Sequence, residues 1–374
     1  MSTETSQNVD SGGSSGVETP SSNGRTRRRE LLKAITGVAV AGGLAGCASS
    51  SESGSPTPDG TQSPAEDAAS TATTTRAATG GATPITFGTP NAAAAGVSPR
   101  VVRDQGLVPD DEVDLGLEFG PPPELFTKLQ GQAIESSTFP VISGARLANQ
   151  GADVRLLQPV ARSFNSIVAR SDADLSSVDD LRGTTLGSMP RNTAPFTHFA
   201  LLLSLEGMNH ETVQFQFGPP PVLFGQMRSG ELDAMIGVEP FSTRLLATGD
   251  YEEFFVFNDR WNDRRGTDMP LVEAATYQST VDQKRAAFET FLRGLREAGQ
   301  YIADNERAVF ERYADTLGLQ NERQIDLAVE RIAPIYPTEF ATDLREAGKE
   351  VVRLAADAGL IEAEPNVDEL FVEL

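Results

Sequence analysis

Cysteine is almost missing from this chain. Its 374 residues include one, Cys47, so no disulfide can close within it. Histidine is nearly as scarce, with only His198 and His210. Such an inventory excludes a Cys/His metal cluster or a Cys–His dyad on the body of the chain. Lysine occurs four times, at Lys33, Lys128, Lys284 and Lys349, and arginine supplies the rest of the positive charge. Against 31 Lys+Arg stand 53 Asp+Glu, for a net charge of −22 spread along the chain. No basic stripe exists to meet phosphates, which points away from a nucleic-acid partner. Dispersed acid with so little lysine describes a surface kept hydrated in high salt, as in a halophile. The length is enough for about two domains.

What is present includes one phrase said twice. Phe119-Gly120-Pro121-Pro122-Pro123 leads to Leu125-Phe126, and 98 residues later Phe217-Gly218-Pro219-Pro220-Pro221 leads to Leu223-Phe224. Each copy continues through a short helical run to a Gly (Gly131, Gly230), then through an apolar segment to a lone Pro (Pro140, Pro240). Each closes on a further Gly (Gly151, Gly249). A repeat of this length is a supersecondary unit used twice. Val113 to Phe119 and Val213 to Phe217 alternate like strands. The Gly-Pro run stops each strand, because Pro removes a ladder donor. Its last Pro suits the first turn of a helix, where the missing N–H costs nothing. Ala133 to Phe139 and Asp233 to Val238 read as buried strands, and Pro140 and Pro240 open further helices. Strand–helix–strand–helix is the pattern of a parallel sheet with covered faces. Two similar α/β lobes are therefore expected, rather than one large doubly wound domain.

The N-terminus reads differently. Residues 1–24 are polar and without periodicity. Arg27 to Lys33 is basic and precedes Ala34 to Gly46, an apolar run far short of the roughly 20 residues that span a bilayer. A basic segment before a short apolar one is an export signal. Arg28-Arg29-x-Leu31-Leu32-Lys33 resembles a twin-arginine signal, and Leu44-Ala45-Gly46-Cys47 resembles a lipobox that leaves Cys47 carrying lipid. Residues 1–46 are thus read as a twin-arginine lipoprotein signal peptide. Residues 47–83, rich in Ser, Thr and Gly, are read as a disordered tether.

The folded body opens on a strand, Ile85 to Gly88. A helix capped at Ser98 follows, with Pro99 at its first position. Val154 to Pro159, Ser166 to Arg170 and Thr184 to Ser188 read as strands. Thr193 is placed to cap a helix from Ala194 to Glu206. Phe254 to Phe257 reads as a strand, Trp261 to Asp268 as loop, and Leu271 to Tyr277 as a returning strand. From Val281 onward the pattern is helical, broken at Asn305, Gly318, Pro334, Pro337 and Gly359.

Four stretches resemble a known family. They are the strand-loop Thr86 to Asn91; Gly131-Gln132-Ala133-Ile134 leading to Thr138-Phe139-Pro140; Asp179 to Gly187; and Gly230-Glu231-Leu232-Asp233-Ala234 running into Glu239-Pro240-Phe241. Together they resemble the lipid-anchored substrate-binding proteins of ABC importers that take sulfonates, taurine, nitrate and thiamine-pyrimidine precursors. The resemblance implies a type II periplasmic binding protein fold: two three-layer α/β lobes with mainly parallel sheets, joined by two crossover strands, plus C-terminal helices. It implies lobe 1 at 84–163 and 269–374 and lobe 2 at 164–268. The crossovers would fall near Arg162 to Ser166 and Arg265 to Pro270. The implied role is non-enzymatic: capture of a small solute by hinge closure and delivery to a permease and its ATPase. The implied chain is a monomer without cofactor or metal, held by Cys47 to the outer face of the cytoplasmic membrane. An enzyme on the same fold, a ligand-sensing surface protein and an adhesin are the rivals.

In open parallel sheets, ligands bind beyond the carboxyl ends of the strands. Four loops here leave a strand and open a helix: Thr89 to Ala92, Thr138 to Val141, Met189 to Ala194, and Val238 to Phe241. Helix N-termini suit an anion. The candidate site residues are Thr89, Asn91, Thr138, Phe139, Arg191, Asn192, Thr193, Glu239 and Phe241. Arg191 would hold a sulfonate or carboxylate through paired donors. Asn91, Thr138, Asn192 and Thr193 would add neutral hydrogen bonds, and Phe139 and Phe241 apolar walls. Glu239 would meet a ligand amine, so the pair points to a zwitterion such as taurine. The plainer readings stay open: Arg191 a solvated loop charge, Glu239 and Thr193 helix caps, the two phenylalanines core. His198 reads as buried structure, and Trp261 as either packing or a stacking surface near the hinge.

Overall fold

The computed structural model describes residues 81–339 and 342–374. The export signal, Cys47 and all but the last residues of the tether lie outside the described residues. The body begins with β1 (Thr83–Thr89). A 3-10 turn (Ala94–Gly96) leads into α1 (Val97–Asp104), β2 (Val113–Phe119), α2 (Pro122–Gln130), β3 (Ser136–Pro140), α3 (Val141–Asn149) and β4 (Val154–Arg162). The chain then builds β5 (Ser166–Arg170), β6 (Thr185–Ser188), α4 (Ala194–Leu205), β7 (Gln214–Phe217), α5 (Pro220–Ser229), β8 (Ala234–Gly237), α6 (Phe241–Leu246), β9 (Tyr251–Phe254) and α7 (Phe257–Arg265). It returns through β10 (Pro270–Tyr277) and ends in α8 (Gln278–Asp304), α9 (Glu306–Arg312), α10 (Ala314–Leu317), α11 (Glu322–Ile332), α12 (Thr342–Asp357) and α13 (Val367–Leu370).

Two five-stranded sheets result, in the orders β2-β1-β3-β10-β4 and β7-β6-β8-β5-β9. They are built alike. In each, three neighbouring strands run parallel, the fourth runs against them, and the fifth is antiparallel to that fourth. Four of five strands in each sheet therefore point the same way, so the sheets are mainly parallel. The reversed strands are β10 and β5, which come just after the chain changes sheets. The fold class expected from the repeat, two similar α/β lobes with C-terminal helices, is the one observed.

The repeat explains itself in this frame. Both FGPPP phrases sit where an edge strand, β2 or β7, meets its helix. Pro121 and Pro219 take the cap position with extended backbone, and the next two prolines form the first turn of α2 and α5. Proline's fixed φ and missing N–H suit both places. In each copy the second Phe packs on a ring beside the later lone proline: Phe126 on Phe139 at 4.6 Å, and Phe224 on Phe241 at 5.6 Å between centroids. One core lies between the first sheet and α1, α8 and α11, around Ile85, Phe87, Phe288 and Phe291. A second runs from α3 and α12 across to α4 and α7, around Leu156, Val351, Phe199, Phe257 and Trp261. It is continuous through both lobes. A third, smaller one lies under α5 and α6.

Three local expectations are corrected. Ser98 is not a cap; it lies inside α1, buried, with Gly96 at the cap position. A Cβ on Gly96 would stand 2.2 Å from the Pro90 carbonyl oxygen, so the turn closes only over glycine. The expected strand at Phe254 to Phe257 and loop at Trp261 to Asp268 are instead the end of β9 and the helix α7. That helix buries only Phe257 and Trp261, four residues apart, so its sequence shows almost no apolar period. Trp261 is fully buried and donates from Nε1 to Thr267 Oγ1 at 3.3 Å, which settles it as packing.

Candidate functional site

The six helices that follow parallel strands open toward the same side of the two sheets. Their N-terminal loops enclose a cleft of about 510 Å3, within the roughly 300–1,000 Å3 typical of small-molecule sites. All four expected loops contribute, through Pro90 to Ala93, Thr138 with Pro140, Met189 with Thr193 and Ala194, and Val238 to Phe241. Both copies of the repeated phrase contribute too, through Phe119 to Pro122 and Pro219 to Pro221. Phe164 and Asn165 add the segment between β4 and β5, and Leu271 and Val272 add the start of β10.

The expected residues divide. Asn91, Thr138, Thr193, Glu239 and Phe241 line the cleft. Thr89, Phe139, Arg191 and Asn192 do not. Thr89 is buried and donates to the Ala95 carbonyl at 3.4 Å. Phe139 is core, packed on Phe126. Asn192 is exposed, and its carbonyl accepts from Ser143 Oγ at 2.9 Å. Arg191 is exposed as well. Its guanidinium stands 4.9 Å from the Phe196 ring centroid and 5.2 Å from that of Phe217. Those rings, not the cleft, hold the charge that was expected to grip an anion. The other lobe repeats this stacking: Arg100 stands 3.9 Å over Phe119 and donates to Asn91 Oδ1 at 2.6 Å.

Among the described residues Glu239 is the one ionisable group in the lining, and its carboxylate is fully engaged. Oε2 accepts from the Thr243 amide at 3.0 Å, which caps α6, and Oε1 accepts from Arg331 Nε at 2.8 Å. The same guanidinium makes two further bonds of 2.7 Å to Glu253. Burial works against a charged Arg331, yet its two carboxylate partners hold its proton affinity above the ordinary value. Burial likewise opposes ionised Glu253, and the guanidinium overrides it and holds Glu253 below the usual carboxylate range. Thr193 was expected to cap α4. It does occupy the cap position, but its hydroxyl donates back to the Pro190 carbonyl at 2.7 Å.

Sequence reasoning missed Asn165, Phe164 and the role of the prolines themselves, and placed Met189 in an expected loop without naming it as a site residue. Eight of the 26 lining residues are proline. The prolines did carry a signal in the sequence: a phrase duplicated at two strand ends marks the place where ligands sit in parallel sheets. The prolines also change the chemistry. Three consecutive residues without an N–H occupy the cap and first turn of α2 and again of α5. Those helix ends offer almost no donor to an anion.

Fold and site define a class. Two similar α/β lobes, each with one reversed strand, and a cleft at their strand ends are the architecture of periplasmic binding proteins. The model of the NMT1-like family matches residues 85–316, and the chain belongs to that family. No curated protein sequence matches the chain. Solved structures share its fold, among them three binding proteins. The alkanesulfonate-binding protein SsuA from Xanthomonas axonopodis pv. citri, bound to MOPS, is 14% identical; the match covers 78% of this chain and 98% of that one, with a TM-score of 0.64. The periplasmic aliphatic sulphonate binding protein SsuA from Escherichia coli is 14% identical over 78% and 93% of the two chains, with a TM-score of 0.63. The periplasmic nitrate-binding protein NrtA from Synechocystis PCC 6803 is 13% identical over 78% and 86%, with a TM-score of 0.60. At such identities the likeness is one of fold.

Proposed function

We propose that this protein is the extracytoplasmic solute-binding component of an ABC importer. It captures a small molecule between its lobes by hinge closure and passes it unchanged to a permease. The observation that carries the reading is the convergence of all the strand-end loops, from both sheets, on one cleft of about 510 Å3. Fold neighbours that bind sulfonates and nitrate support it. Lobe 1 is assigned to 84–163 with 269–374, and lobe 2 to 164–268. The chain leaves the first sheet after Arg162, enters the second at Ser166 and rejoins the first at Pro270, which supports that division. We further assign residues 1–46 to twin-arginine export and Cys47 to a lipid anchor on the outer face of the membrane. The acidic, lysine-poor surface is assigned to life in high salt. Within the cleft, Asn91, Thr138, Thr193, Glu239 and Phe241 are the proposed ligand neighbours.

The solute expected from the sequence, an anion or zwitterion of the sulfonate, taurine or nitrate type, rested on Arg191 and on free helix ends. A ring-bound Arg191 and the proline-blocked ends of α2 and α5 favour the alternative, an uncharged ring such as a thiamine-precursor pyrimidine. The test is a thermal-shift panel in high salt with taurine, alkanesulfonates, nitrate, bicarbonate and aminopyrimidines. A true ligand stabilises the form it binds by RT ln(1 + L/Kd), L being its free concentration, so the melting shift should rise with the logarithm of concentration above Kd. Failure of every solute, together with no small molecule carried by the native protein in mass spectrometry, refutes the reading.

A further inference from the structure

The cleft has an unusual balance of charge and polarity. Among the described residues that line it, none is Arg, Lys or His, and the carboxylate of Glu239 is already bonded to Arg331 and to the Thr243 amide. An anion entering here would lose its hydration and meet apolar walls, a buried carboxylate and, at α2 and α5, two of the six helix ends blocked by proline. Burying an unpaired charge in such surroundings is strongly unfavourable. The walls suit something else: Phe119, Phe126, Phe164, Phe241, Leu271 and Val272 present apolar surface from both lobes.

One polar group in that wall lacks a partner. Asn165 is fully buried and lines the cleft. Its Nδ2 donates to the Gly237 carbonyl at 2.8 Å, which orients the amide. Its Oδ1 then faces no hydrogen-bond donor among the described residues. A buried acceptor left unpaired is destabilising, and a ligand N–H or O–H removes that cost. Asn165 also stands between β4 and β5, the point where the chain passes from one sheet to the other. A ligand bonded there touches the segment that must move when the lobes close.

Building on the solute-binding reading, we propose that the cleft selects an uncharged solute with a largely apolar body, which donates one hydrogen bond to Asn165 Oδ1. Selection against anions follows from the missing cation, and orientation follows from the single orphaned acceptor. The anion-binding fold is thus turned to a neutral solute by deleting N–H groups with proline and by diverting both arginines onto phenylalanine rings.

A matched pair of fluorescent probes tests this on the intact protein in high salt. N-phenyl-1-naphthylamine is neutral and has one N–H; 8-anilino-1-naphthalenesulfonate has the same rings and N–H plus a sulfonate. The wild type is expected to bind the neutral probe at one site, at least tenfold more tightly than the sulfonate. Asn165→Leu should weaken the neutral probe about tenfold. Met189→Arg, at a half-buried loop position in the lining, adds a cation and should erase or reverse the preference while the fold is kept. Equal or tighter binding of the sulfonate by the wild type overturns the proposal. So does an Asn165→Leu variant that melts like the wild type and binds the neutral probe undiminished. If Asn165→Leu does not fold, the Met189→Arg comparison decides. Anion preference with one-site binding would sink the neutral-solute proposal alone. Binding of neither probe also overturns it, and the solute-binding reading then falls or stands on the thermal-shift panel.

Discussion

Arg331 offers the sharpest test of how this molecule is held together. It sits on α11, in the C-terminal helical region, and reaches carboxylates that belong to the second sheet, Glu239 after β8 and Glu253 on β9. Its side chain is 18% exposed, that of Glu239 0% and that of Glu253 18%. Replacing it by methionine keeps the apolar stem and removes three N–H···O bonds at once. Two carboxylates are then left in a space that excludes water. Breaking a buried ion pair from one side costs about 3–5 kcal/mol, far above the ~0–1 kcal/mol of an exposed pair. Arg331→Met is therefore expected to lose about 3–5 kcal/mol at pH 7, read as a lower urea midpoint at unchanged slope. The pH dependence carries the signature. In the wild type Glu253 is held below its ordinary value of 4.5, so its contribution is present above that value and is lost as pH falls through the folded one. In the variant Glu253 keeps its burial and loses the cation that held it down, so it protonates more readily and the deficit should shrink as pH falls toward 4.5. A deficit under about 1 kcal/mol, or one unchanged between pH 7 and 4.5, would refute the assignment of this cluster as a buried clasp.

Three further outcomes follow from single groups. Glu273 on β10 is 1% exposed with neither carboxyl oxygen hydrogen-bonded, and burial, partly offset by Arg345, pushes it up to about 8. Its raised value means stability present below about 4.5 and lost as pH rises through 8, so Glu273→Gln should gain up to about 4 kcal/mol at pH 8.5 and nothing at pH 4; parallel melting curves across that range would contradict it. His198 is fully buried, both its ring nitrogens lack a hydrogen-bond partner among the described residues, and burial lowers it to about 3. The folded protein therefore loses stability as pH falls below about 6.5, and His198→Met should recover about 2 kcal/mol at pH 4.5 while changing little at pH 7.5. Gly96→Ala drives a Cβ to 2.2 Å from the Pro90 carbonyl oxygen, so denaturation should show a loss of about 2–4 kcal/mol, and the amides of Asn91 to Ala95 should exchange faster; a neutral substitution there would contradict the tight closure of this turn.

Much of the fold was legible before any coordinates. The twin phrase, the strand alternation beside it and the prolines that open α2, α3, α5 and α6 are local facts. A strand needs only its own period of two, and a helix start needs only a residue that fits without an N–H. Those same facts placed four loops at one end of the sheets, and the loops do share a cleft. α7 was not legible, because a helix that buries two side chains leaves no stripe in the sequence.

The amino-acid sequence by itself determined that the body is a duplicated α/β unit with its strand-end loops in register, because period and proline chemistry act over a few residues. Only the tertiary structure decided what those loops present. Arg331 neutralises Glu239 from 92 residues away, Arg191 is drawn onto the rings of Phe196 and Phe217, and Asn165 is left with an acceptor unmet. Each of these depends on which distant groups fill the same small, dry space. Electrostatics and hydrogen bonding in such a space are set by neighbours in three dimensions, not by neighbours along the chain.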